Sequence, residues 1–174
     1  MRPLGTLVAA SALVVALAAP ALAATGSIQD PAGDATSNGL DITRATLDNR
    51  DHQIKVRVRF DDVRRGDLIV SVDPRGDRGV RLISEYRPGE TTNYVVGGAF
   101  TNRGGGDAEP LDCDGFRVRW NEDADRATLR LPSTCLNDGD YGAVRFAVLT
   151  ERGGGDSDIA PEKPGSGSGW IARG

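Results

Sequence analysis

The run Ile54-Lys55-Val56-Arg57-Val58-Arg59-Phe60 alternates an apolar with a charged residue at every step. An extended chain points successive side chains to opposite faces, so this pattern fits a strand with one wet and one buried face. Shorter runs of strand-like residues occupy positions 42–47, 68–72, 80–86, 94–100 and 144–149, separated by clusters of Gly, Pro, Asn and Asp. Spacings of roughly 8–15 residues are the rhythm of an antiparallel sandwich or barrel. Beyond the first two dozen residues, no segment carries the apolar repeat of an amphipathic helix. The sequence therefore predicts an all-β fold. It is expected to be a single antiparallel β-sandwich, jelly-roll or immunoglobulin-like, of about seven to nine strands. Val56, Val58, Phe60, Leu129, Phe146 and Val148 should lie inside.

Residues 1–23 read as a secretory signal peptide. Arg2 supplies the positive start, residues 7–19 are apolar except for Ser11, Pro20 breaks the run, and Ala21-Leu22-Ala23 is a small-x-small cleavage signal. The apolar run is 13 residues long, against the roughly 20 that span a bilayer as a helix. The expected mature chain is a single secreted domain, residues 24–174, with no membrane attachment after cleavage. Its Gly/Ser-rich C-terminal segment reads as a flexible tail that either wraps the sandwich or moves freely. The whole chain has 21 Lys+Arg against 25 Asp+Glu, a net charge of −4. Loss of Arg2 with the leader leaves 20 cations against 25 acids, or −5. That balance argues against a non-specific nucleic-acid binder, which needs a basic face.

Cys113 and Cys135 bracket two alternating runs, Phe116-Arg117-Val118-Arg119-Trp120 and Ala127-Thr128-Leu129-Arg130-Leu131, with a polar stretch between them. This is a hairpin centred near Ala124, and the two cysteines are equidistant from its centre. A disulfide at the hairpin base is expected, as is usual for an even cysteine count outside the cell. Matching the apolar faces leaves the pair about one residue out of register. A bulge at Gly115 or the break at Pro132 can absorb that. A zinc site or reactive thiol is the weaker alternative, because no Cys-x-x-Cys occurs and the chain has one His.

Asp outnumbers Glu by 19 to 6. Short carboxylates cap turns, and they also ligate hard cations. The string Asp30-Pro31-Ala32-Gly33-Asp34, followed by Asp41 before the first strand, allows both readings. Asp-Pro-x-Gly is a good type I turn. Equally, Asp30, Asp34 and Asp41 can converge at the strand entrance and hold calcium, for which weak sites suffice outside the cell. The EF-hand pattern is absent. Asp156 and Asp158 join this set if the first and last strands are neighbours. The look-alike Asp73-Pro74-Arg75-Gly76-Asp77 joins two strands and reads as a hairpin turn.

The order of these motifs, with Leu40-Asp41-Ile42, Pro132-Ser133-Thr134-Cys135-Leu136 and Asp156-Ser157-Asp158-Ile159-Ala160-Pro161, resembles small secreted proteins of GC-rich Gram-positive bacteria over about residues 28–161. The first third also resembles, more distantly, DOMON-like and family-9-like carbohydrate-binding modules. That resemblance implies a calcium-bearing β-sandwich attached to polysaccharide chemistry, with the calcium role falling on Asp30, Asp34 and Asp41. It does not extend to the heme ligands of some DOMON domains, since Met1 leaves with the leader and His52 stands alone.

Catalysis is not expected. A hydrolytic triad usually needs a His base, and His52 lies in a polar turn; no Gly-x-Ser-x-Gly elbow is present. Gly104-Gly105-Gly106 and Gly153-Gly154-Gly155 lack the Lys-Ser/Thr of a phosphate loop. Arg65-Gly66-Asp67 and Arg75-Gly76-Asp77 read as turns. Trp120 belongs to the hairpin's apolar face. Trp170, in the tail, is either a staple onto the sandwich or an exposed stacking platform for a ligand. The favoured expectation is a non-catalytic module for a polysaccharide or cell-surface polymer. The alternatives are a structural or protein-interaction domain without a small ligand and, last, a small hydrolase using paired carboxylates.

Overall fold

The structure, a computed structural model, describes residues 24–87, 89–100, 110–163 and 167–174. The leader at 1–23, the Gly104-Gly105-Gly106 run and the Gly165-Ser166 part of the tail lie outside the described residues. The strands, in chain order, are β1 (Ala24–Gln29), β2 (Ile42–Asn49), β3 (Gln53–Phe60), β4 (Gly66–Pro74), β5 (Val80–Arg87) and β6 (Glu90–Gly97). They continue with β7 (Pro110–Leu111), β8 (Arg117–Asn121), β9 (Arg126–Pro132), β10 (Val144–Arg152) and β11 (Gly155–Ala160). No α-helix occurs among the described residues, and none of their helical turns is long and apolar enough to cross a membrane.

The strands form two antiparallel sheets, one ordered β1-β2-β3-β9-β8 and the other β11-β10-β4-β5-β6-β7. One apolar core draws on both. Val56, Val58, Leu129, Phe146 and Val148 are at most 1% exposed and Phe60 is 4% exposed, as the alternation predicts. The eleven strands among the described residues exceed the expected seven to nine. The additions, β1, β7 and β11, all sit at sheet edges. An edge strand packs fewer apolar side chains, and β1 (ATGSIQ) buries only Ile28. Such segments carry little periodicity to read. Arg65-Gly66-Asp67 is likewise no turn: Gly66 opens β4, and Asp67 pairs with Arg87 at 2.7 Å.

Cys113 and Cys135 are joined by a disulfide, with Cα atoms 5.4 Å apart. The β8–β9 register, in which Arg117 faces Arg130, extrapolates to Cys113 opposite Thr134, one residue short of its partner. The left-handed backbone of Gly115 (φ +84°) and a 3-10 turn at Ser133–Cys135 take up this offset. The C-terminal residues wrap the sandwich. Ile171 exchanges backbone hydrogen bonds with Val144, and the fully buried Asn49 donates from Nδ2 to the carbonyls of Gly142 and Ile171, both at 3.1 Å.

Candidate functional site

Two features of the surface carry chemistry, and the topology builds both. The first lies where β1 ends. Asp30 still donates its backbone N–H to Thr43, so β1 delivers it beside the start of β2. The following loop crosses to β11: Thr36 donates its N–H to Ser157 O at 2.7 Å and its hydroxyl to Asp156 O at 3.0 Å. Gly39 passes so close to Ser157 that a Cβ there would sit 2.3 Å from Ser157 Oγ, which excludes a side chain. The edge strands of the two sheets are thereby brought together.

One carboxylate oxygen from each of Asp30, Asp34 and Asp158 then lies within 4.8 Å of the others. Two oxygens on opposite sides of a calcium ion, with bonds of about 2.4 Å, are separated by about the same distance. Asp158 is 9% exposed and accepts the backbone N–H groups of Ile42 and Ile159, each at 2.6 Å. Asp30 Oδ2 is buried and has no hydrogen-bond partner. Burial, then the negative charges of Asp158 and Asp34, raises the Asp30 carboxyl from its usual 3.8 to about 7. Burial also raises Asp158, while its two N–H bonds pull it down and Asp34 and Asp41 push it up. Carboxylates crowded in this way favour a proton or a cation between them.

Of the residues singled out in the sequence, Asp41 lies beside this group rather than in it. Its Oδ2 accepts the N–H of Gly33 at 2.5 Å and closes the loop. Asp156 is exposed and contributes its backbone carbonyl. Asp73 and Asp77 belong to the β4–β5 hairpin, where Asp73 binds Arg145 at 2.6 Å. Trp120 stacks between Phe60 and Tyr86 and donates to Ser84 at 3.0 Å. Ile171 is the staple. Its neighbour Trp170 is 43% exposed, with the guanidinium groups of Arg75 and Arg145 lying 4.7 and 5.2 Å from its ring centroid.

The second feature is the outer face of the five-stranded sheet. The register lines its outward side chains into rows that run across the strands. Lys55, Arg130 and Arg117 form one row, Arg57, Thr128 and Arg119 the next, and Arg59, Arg126 and Asn121 the third. An open groove of about 760 Å³ runs over β3, β9 and β8, and Val118 is its one apolar lining residue. Burial, with the charges of Arg57 and Arg130 next to it, lowers the Lys55 ammonium below its usual 10.5. Sequence reading took these positions only as the polar half of an alternation. The signal was their identity, since seven of the ten polar sites of the three strands are Arg or Lys.

No family model, curated protein or solved structure matches this chain.

Proposed function

We propose that this protein is a secreted, non-catalytic β-sandwich module of the jelly-roll or immunoglobulin-like class. It binds a polysaccharide or cell-surface polymer along the outer face of its five-stranded sheet. The observation that carries this reading is the groove over β3, β9 and β8, which is open to solvent and crosses three strands. Enclosed apolar pockets suit small ligands, whereas an open polar groove suits a polymer segment. Calcium at Asp30, Asp34 and Asp158 is the structural cofactor of the same reading, tying the N-terminal segment to β11. The resemblance of the first third of the chain to calcium-bearing carbohydrate-binding modules supports it, and the disulfide supports an oxidising compartment.

The test is a binding screen of the mature protein against neutral and acidic polysaccharides, with calcium and with a chelator. Retention by at least one polymer is expected; absence of binding to every polymer in both conditions overturns the reading. A second reading, a protein-interaction domain, is favoured by a row on the opposite sheet. There Ile159, Leu149, Ile69, Ile83 and Tyr94 are cross-strand neighbours on the outer face and each is only half-buried. That reading expects Ile83→Lys to abolish a defined association while polymer binding is absent.

A further inference from the structure

We infer that the polymer bound on the five-stranded sheet is a linear acidic polysaccharide, one bearing carboxylates along its length. This rests on the polymer-binding reading above and names the ligand class for the same face.

Charge segregation is the first argument. The chain as a whole is acidic, at −4, yet seven of the nine outward positions in these three rows are cationic. Lys55, Arg130 and Arg117 are directly opposite one another across β3, β9 and β8. Like charges facing each other across strands destabilise a sheet, so stability alone does not account for the arrangement. Protection of an exposed edge by charge accounts for Arg117 and Arg119 on β8. It does not account for Lys55 on β3 or Arg130 on β9, which are interior strands of the sheet.

Most of these cations also lack acidic partners. Asp48 takes Arg57 at 2.9 Å. Among the described residues, Lys55, Arg117, Arg119, Arg126 and Arg130 have no carboxylate at ion-pair distance. Guanidinium groups without a carboxylate beside them fit an oxyanion from outside. Neighbouring strands are about 4.8 Å apart, and alternate residues along one strand are about 6.8 Å apart. A chain of repeating anions lying across the rows therefore meets successive cations.

The remaining question is which polyanion. Single-stranded nucleic acid binds by stacking its bases on aromatic side chains, and the three rows contain no aromatic residue. Duplex DNA is read by an element that projects into its groove, whereas this face is itself a recessed groove. Neutral glycans can accept hydrogen bonds from these groups but leave their charges uncompensated. An acidic glycan needs only oxyanions at intervals and hydroxyls for Thr128 and Asn121.

The experiment measures retention of the mature protein on polygalacturonate, dextran, polyphosphate and DNA. It is run in chelator, so that calcium does not crosslink the polyuronate, at 50 and 200 mM salt. Polygalacturonate should bind, with affinity falling at least about tenfold over that salt range, and dextran should not bind. The triple variant Arg117→Ser/Arg119→Ser/Arg130→Ser should lose at least about tenfold in affinity without a fall in melting temperature. The off-face variant Arg64→Ser/Arg78→Ser/Arg152→Ser should bind as the native protein does. Tighter binding of polyphosphate or DNA than of polygalacturonate overturns the inference. So does a triple variant that binds normally, or self-association that the triple variant abolishes. If dextran binds and the triple variant retains that binding, the polymer-binding function stands and the acidic ligand falls; if nothing binds, the acidic ligand falls, and the polymer-binding function falls with it when the wider screen in calcium is negative as well.

Discussion

Asp158 Oδ2 accepts the backbone N–H of Ile42 at 2.6 Å, although 116 residues separate the two in sequence. The carboxylate that anchors the last strand to the second is therefore also the one that meets Asp30 and Asp34. Any ion or proton held there acts on the join between the two sheets.

Calcium should stabilise the folded protein. Binding to the native state alone raises stability as RT ln(1 + [L]/Kd), so millimolar calcium at a weak extracellular-type site should add on the order of 1–2 kcal/mol. Asp34→Ala, at an exposed position, should abolish the shift in melting temperature. Asp77→Ala, in the look-alike turn, should leave it intact. Asp158→Asn, which removes one of the three carboxylates, should lose the shift as well.

The pH dependence follows from Asp30. Its folded-state value of about 7 lies above the ordinary 3.8, so between these values the folded state holds a proton that the unfolded chain has released. The associated stability is complete below about pH 4 and is lost as pH rises through about 7. In chelator, the melting temperature of the native protein minus that of Asp30→Asn should fall between pH 5 and pH 8. Calcium, which replaces the proton, should flatten the difference. A difference that rises with pH in chelator contradicts the assignment.

The crosslink should contribute measurably. The disulfide closes a span of 22 residues, worth about 3 kcal/mol in the chain-entropy model. Cys113→Ser/Cys135→Ser should lower the unfolding free energy by that order in a denaturant titration. Thiol labelling of the native protein should fail until a reductant is added.

Asn49 should behave as a clamp on the C-terminal segment. Asn49→Ala removes both donors from the carbonyls of Gly142 and Ile171, a loss of about 1–3 kcal/mol. Hydrogen exchange should accelerate first at the Ile171 and Val144 amides. The amide of Leu82, on β5 in the middle of the six-stranded sheet, should keep its protection at early times.

What was legible from sequence follows one rule. Where a strand has one wet and one buried face, its alternation is written in its residues, and β3, β8 and β9 were located with the correct inward side chains. The hairpin spacing likewise showed the pairing of Cys113 with Cys135 and its one-residue offset. The edge strands β1 and β11 were not legible, because a strand with little apolar area to bury has little pattern to show. Asp158's place beside Asp30 and Asp34 depended on which strand edges meet, which is a property of chain topology and not of any local string. The cationic face combines the two. Alternation put Arg and Lys on the outside of each strand, but only the register between strands set Lys55, Arg130 and Arg117 in one row. Register is chosen by the apolar side chains on the other face, since a slip of one residue would turn Val56, Leu129 and Val118 out to water. The core thus decides where the surface charges stand.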